Sequence, residues 1–208
     1  MSILKTIKKN KIIPLGTLVN EDEVLNICNC LTESDIPLIE VTLRDKRVID
    51  AIPSFKKYPN IYLGIGTIRT TQQIDLAINA GASFAITPGF SPIISDYASS
   101  KGLLLIPGVQ TASEVMAASE AGHKVLKFFP AELSGGINKL NAFKSVFPDI
   151  TFIPTGGITN KSIANYLSLD NVVAVGASSA MPESLIRSKS WDEITNNLLE
   201  IKTIIETT

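Results

Sequence analysis

The chain of 208 residues carries one histidine, two cysteines and a formal net charge of −1, and each shortage closes off a class of function. With His123 alone, and no carboxylate–histidine spacing around it, the donor set of a metal-dependent mechanism is missing, so none is expected. His123 itself falls where an apolar run begins and reads as structural. Cys28 and Cys30 sit two apart in a helical pattern and point to different faces, which suits neither a redox pair nor a metal knuckle. Free thiols and a cytoplasmic location are the expectation. The charge balance leaves no electrostatic footprint for nucleic acid, and the short lysine cluster Lys5, Lys8, Lys9 and Lys11 reads as a solvated helix face. No apolar stretch approaches the roughly 20 residues that span a bilayer, and the N-terminus has no signal-peptide apolar region. Linkers and low-complexity segments are also missing, so residues 1–208 are expected to form a single domain.

What the chain does have is one unit, repeated. A short apolar run is followed by a polar turn and then by a helix-period stretch that often closes on glycine. The candidate strands are 12–18, 37–43, 61–67, 83–87, 103–107, 125–129, 151–154 and 172–175, eight runs at roughly even intervals. Helix starts are marked by Asn20 with Glu21, Asp22 and Glu23 behind it, by Thr71, by Thr111 or Ser113, by Asn160, and by Ser190 with Glu193 as a capping box. Ile3, Leu4 and Ile7 make a short amphipathic N-terminal helix. Near-continuous apolar strands are buried on both faces, as in parallel sheets. Eight such units with helical crossovers predict a (β/α)8 barrel, with the short helix before it. The main alternative, a doubly wound open sheet, would carry a dinucleotide fingerprint after the first strand, and Gly16-Thr17-Leu18-Val19-Asn20 has no such glycine pattern.

Two charged groups stand inside apolar runs. Glu40, Thr42 and Arg44 alternate along the second run and share one strand face, while Ile39, Val41 and Leu43 share the other. Lys127 sits in Val125-Leu126-Lys127-Phe128-Phe129-Pro130-Ala131-Glu132. Buried ions are expensive, and a lysine there either pairs with a carboxylate such as Glu40 or acts as a nucleophile, since removal from water favours the neutral amine. The two readings are compatible. Pro154-Thr155-Gly156-Gly157-Ile158 and Gly176-Ala177-Ser178-Ser179 follow the last two runs, where barrels commonly hold phosphate; plain tight turns are the alternative. Gly64-Ile65-Gly66-Thr67 is a weak glycine pair, with the Thr67 hydroxyl at a strand end where it would reach a carboxylate.

The segments 40–44, 64–67, 85–89, 106–109, 127–132 and 154–158 resemble, collinearly, those of the 2-keto-3-deoxy-6-phosphogluconate (KDPG) and 4-hydroxy-2-oxoglutarate (KHG) aldolases, and Lys127-Phe128-Phe129-Pro130-Ala131-Glu132 is the most specific part. The resemblance implies a class I aldolase on a (β/α)8 barrel, homotrimeric, without metal or organic cofactor, that releases pyruvate from a 2-keto-3-deoxy acid. It also implies roles. Lys127 forms the Schiff base, Glu40 is the acid/base, and Arg44 and Thr67 hold the pyruvyl carboxylate. Pro88 and Phe129 line that end, and Gly156, Gly157 and Ser178 receive the phosphate. The chain departs from the usual pattern at Thr17, where many members have a basic residue, and at Ala177 and Ser179, where many have glycine and tryptophan. A β-carbon at Ala177 is expected to hinder a positive-φ backbone and close approach of phosphate. These departures concern the aldehyde side of the substrate. The rival readings are an aldolase for a related 2-keto-3-deoxy sugar acid, a phosphate-binding isomerase or synthase barrel, and a barrel that binds a phosphorylated metabolite without turnover.

Overall fold

Alternation along the strands sorts side chains into two apolar clusters, and the backbone follows from that. In the computed structural model, which describes residues 2–208, the strands are β1 (Ile12–Gly16), β2 (Leu38–Thr42), β3 (Tyr62–Gly66), β4 (Phe84–Ile86), β5 (Leu104–Ile106), β6 (Gly108–Val109), β7 (Val125–Phe128), β8 (Thr151–Pro154) and β9 (Val175–Ala177). All pairings are parallel. A curled six-stranded sheet runs β5-β4-β3-β2-β1-β9, half a barrel, and a three-stranded sheet runs β6-β7-β8. Two isolated parallel bridges, Phe152 with Val172 and Thr155 with Gly176, run from the second sheet to the chain around β9.

The ladder therefore differs from eight uninterrupted strands. Pro107 has no N–H to donate and splits the expected 103–107 run into β5 and a continuation, β6; its carbonyl still accepts from Lys127 N at 2.9 Å. The expected 172–175 strand is displaced towards β9, because Val172 N turns back to Leu169 O and leaves only a bridge there.

On the convex side, Ile39, Val41, Leu63, Ile65, Leu126 and Phe128 pack against the helices in the larger cluster. On the concave side, Ile13, Leu38, Phe84, Ile86, Ile106 and Ile153 form a smaller one. The N-terminal helix Ile3–Asn10 closes that end by inserting Ile7, which is fully buried. Leu38, Glu40 and Thr42 thus share the concave face, apolar near the N-terminal ends of the strands and polar towards their C-terminal ends.

Helix starts follow capping chemistry in four of the five expected places. Asn20 accepts from Glu23 N, and Thr70, Thr111 and Thr159 form capping boxes with Gln73, Glu114 and Ser162. Ser190 does not cap the last helix, Trp191–Glu206. Its backbone is not extended, and its hydroxyl instead lies 3.0 Å from that of Ser188. Helices Pro92–Ser100 and Gly136–Val146 add to those marked in the sequence. Cys28 and Cys30 are both buried and free. Burial, with Cys30 close by, pushes the Cys28 thiol up to about 12, so it is inert at neutral pH. No helix is long and apolar enough to cross a membrane among the described residues.

Ile7→Ala is expected to lower stability by about 2–5 kcal/mol in urea unfolding, the range for truncating a buried isoleucine. A loss below about 1 kcal/mol would show that the N-terminal helix does not close the concave core.

Candidate active site

The two anomalous charges stand on strands of different sheets and meet across the concave side. β2 pairs through β3, and β7 is flanked by Gly108 of β6 and Ile153 of β8 at the level of Lys127. Lys127 Nζ donates to Glu40 Oε1 at 3.2 Å, with the two residues 5% and 1% exposed. The ammonium also lies 5.1 Å from the centroid of the Phe129 ring, a cation–π contact. A buried pair of this kind stands only when both partners are present; removing one leaves a bare charge at about 3–5 kcal/mol.

Above the pair opens a cavity of about 540 Å³. Its wall includes Thr42, two residues beyond Glu40 on the same strand face, Arg44 in the turn after β2, and Phe129, two beyond Lys127. The rest comes from Thr17, from the 155–159 loop after β8 with Gly156 and Gly157, and from Ser178, Ser179 and Glu183 after β9. Gly156 and Gly157 have φ of 99° and 83°, so the glycines there are required by the turn as well as by space. Lys127 and Glu40 themselves, and Thr67 and Pro88, lie outside this wall. Thr67 follows Gly66 at the end of β3 with φ 64°, a left-handed conformation that costs a β-branched residue about 1–3 kcal/mol and persists only where its surroundings impose it. The Pro88 carbonyl crosses over Gly108, whose register partner is Lys127.

His123 stands apart from the cavity. Its Nε2 lies 2.7 Å from Ser95 Oγ and its ring meets the edge of Phe90. Burial holds its pKa below the usual value, as befits a neutral, structural side chain. No group of three or more His, Cys, Asp or Glu side chains able to hold a metal ion is found among the described residues.

Comparison with known proteins places this arrangement. The family model for KDPG and KHG aldolases matches residues 3–197. The chain belongs to that family. It is 34% identical over 205 residues to the 2-dehydro-3-deoxy-phosphogluconate aldolase of Haemophilus influenzae, covering 98% of this chain and 97% of the relative. With the KHG/KDPG aldolase of Escherichia coli K12 the identity is 34% over 195 residues, 93% of this chain and 90% of the other. Among solved structures, the KDPG aldolase of Legionella pneumophila, with pyruvate captured as a covalent carbinolamine, superposes with a TM-score of 0.92 at 34% identity, covering 97% and 98% of the two chains.

Within this aldolase scaffold the roles of two features were not read from the sequence. Gly64 and Gly66 are spacers: a β-carbon on Gly64 would fall 2.2 Å from the Phe84 ring, and one on Gly66 would fall 2.1 Å from Glu40 Oε1. The weak glycine pair is therefore the room in which the Glu40 carboxyl sits. Tyr166 is the second feature. Its hydroxyl donates to Glu132 Oε1 at 2.5 Å and ties the helix Asn160–Leu167 to the turn after β7. Burial, and then the Glu132 carboxylate, push the phenol above its usual range, so it stays a neutral donor. Ala131 N and Glu132 N donate in turn to the carbonyls of Thr155 and Gly156, at 2.8 and 3.1 Å.

Ala177 corrects an expectation. It is extended, with φ −131° and ψ 116°, so its β-carbon opposes nothing in the backbone. The departure at Thr17 is accommodated by an exchange of hydroxyls, Thr17 Oγ1 lying 3.0 Å from Thr42 Oγ1.

Gly66→Ala is expected to displace the Glu40 carboxyl by about an ångström and to lower the rate of pyruvate release by about 10²-fold or more, with the circular dichroism spectrum unchanged. A rate within threefold of the parent would show that Glu40 can move without consequence.

Proposed function

We propose that this chain is a class I aldolase that cleaves KDPG to pyruvate and glyceraldehyde 3-phosphate, or KHG to pyruvate and glyoxylate, through a Schiff base on Lys127. The observation that carries the reading is the buried contact between Lys127 Nζ and Glu40 Oε1 at 3.2 Å beneath a cavity of about 540 Å³. Transfer of one proton along that contact yields a neutral amine, which attacks the C2 ketone. Glu40 returns that proton to the C2 oxygen, which leaves as water; this restores the carboxylate and gives a protonated imine, the electron sink for breaking C3–C4. Glu40, directly or through a water, takes the C4 hydroxyl proton as the aldehyde leaves. The enamine is protonated at C3 and hydrolysed to pyruvate. The pyruvate carbinolamine in the Legionella relative supports this route.

Arg44 and Thr67 hold the carboxylate in this reading, the guanidinium fork supplying orientation that a lysine would not. Phe129 and Pro88 line the pyruvyl end, and Gly156, Gly157 and Ser178 receive the far end, including a phosphate. A second reading, a related 2-keto-3-deoxy sugar acid without phosphate, is favoured by one observation. Among the residues of the cavity wall Arg44 is the sole cation, and Glu183 stands at the far end with Thr17.

The two sheets are read as one (β/α)8 barrel, supported by the bridges from Phe152 and Thr155 to the chain around β9 and by the bond from Lys127 N to Pro107 O. Residues 1–208 are read as one catalytic domain, since β1 pairs with β9. We assign a homotrimer in the cytoplasm. Leu133 at 89% and Ile93 at 75% exposure are apolar side chains of the kind an interface covers, and the free thiols suit a reducing compartment.

Borohydride reduction in the presence of pyruvate is expected to add a pyruvyl-derived mass at Lys127, and Lys127→Ala to abolish both adduct and turnover; an adduct on another lysine, or none, sinks the proposal. A comparison of kcat/KM for phosphorylated and unphosphorylated substrates decides between the two substrate readings. A preference of at least tenfold for KDPG is expected from the glycine loop, and a preference for the unphosphorylated acid would replace it with the second reading.

A further inference from the structure

The far end of the cavity is built from two loops with no covalent connection nearby, and one residue of the last helix ties them together from behind. Asn197, half-buried on Trp191–Glu206, donates both protons of Nδ2, to the carbonyls of Ser179 at 2.7 Å and Ala180 at 2.9 Å. Its Oδ1 accepts from Asn160 Nδ2 at 2.7 Å. Asn160 opens the helix that follows the 155–159 loop, and its Oδ1 accepts from Ser179 Oγ at 3.4 Å while its second amide proton reaches Glu200 Oε2 at 3.4 Å.

Every donor of the two amides is used, so neither can be turned over without setting oxygen against oxygen. The cluster therefore has one arrangement, and that arrangement fixes the distance between the loop bearing Gly156 and Gly157 and the turn bearing Ser178. None of these hydrogen bonds involves Lys127, Glu40 or Arg44.

We propose that Asn197 is a specificity-determining positioning residue, which sets the gap that receives the aldehyde-side tail of the substrate and leaves the pyruvyl end alone. The inference rests on the reading of Lys127 as the Schiff-base lysine. It has a readout of its own, because a lysine imine also exchanges the C3 protons of pyruvate with solvent, a half-reaction that needs no tail.

Asn197→Leu keeps the branched outline and the number of side-chain heavy atoms and deletes all three bonds. It is expected to raise KM at least tenfold for whichever six-carbon 2-keto-3-deoxy acid, phosphorylated or not, the parent cleaves faster. Its kcat, and its rate of deuterium incorporation into pyruvate in D2O, should stay within about twofold of the parent. Asn160→Ala breaks the bridge from the other side and should reproduce the KM rise, with the double variant little worse than either single one, as for members of one network. An unchanged KM in both variants overturns the proposal. So does a parallel fall of kcat, exchange and thermal midpoint, which would mark a merely structural contact. Absence of pyruvate exchange in the parent protein would overturn the Lys127 reading itself, and the inference with it.

Discussion

Much of this molecule is a means of keeping one ammonium and one carboxylate side by side out of water. Neither Lys127 nor Glu40 is tolerable alone at 5% and 1% exposure, and a pair only 3.2 Å apart is tolerable because its backbone anchors cannot drift. Those anchors are the middle residues of two parallel strands, each buried on its convex face by a continuous apolar layer and on its concave face, nearer the N-terminal ends, by Leu38, Phe84, Ile106 and Ile153. A parallel sheet suits the task, because every strand delivers its C-terminal end to the same side. The alternation that buries Leu38 therefore puts Glu40 at mid-depth and Thr42 in the cavity wall.

Space is the complementary constraint. A carboxyl fits at the centre of a packed face only if a neighbour gives up its side chain, and Gly66 does so for Glu40 as Gly64 does for Phe84. Gly176 does the same for Thr155, whose hydroxyl lies where the missing β-carbon would come within 2.3 Å. These are not positions of unusual backbone freedom. They are vacancies of about one methyl group, and interiors at crystal density have no other way of making them.

The parts of the site legible in the sequence were those that violate a local rule. A lysine or glutamate in an apolar run is conspicuous in one dimension, as are glycines clustered at a strand end, and the alternation around Glu40 was enough to assign its face. What was hidden depends on partners remote along the chain. Tyr166 meets Glu132 across 34 residues and Asn160 meets Asn197 across 37, and each sits in a helical pattern that is locally unremarkable. Pro107 was visible as a proline, but its effect, dividing a strand between two ladders, needs the neighbours on either side. The Ser190–Glu193 capping box shows the opposite error. The motif is present, yet the turn from Leu185 to Ser190 holds Ser190 out of the extended conformation a cap requires.

The two ends of the cavity are consequently held by different physics. At the Lys127–Glu40 end, the pair and its packing are buried, and removing either partner leaves an unpaired charge. At the far end, the Thr17–Thr42 hydroxyl contact and the Asn160–Asn197 amides are partly exposed to solvent. Exchanging one such hydrogen bond for another changes stability by only about 0.5–1.5 kcal/mol. On the proposed reading of the site, such a scaffold can alter which aldehyde it accepts by substitutions it scarcely feels, while the buried pair stays locked. Thr17 and Ser179, both in the cavity wall, lie on that loosely held side, whereas Lys127 and Glu40 are fixed by their burial.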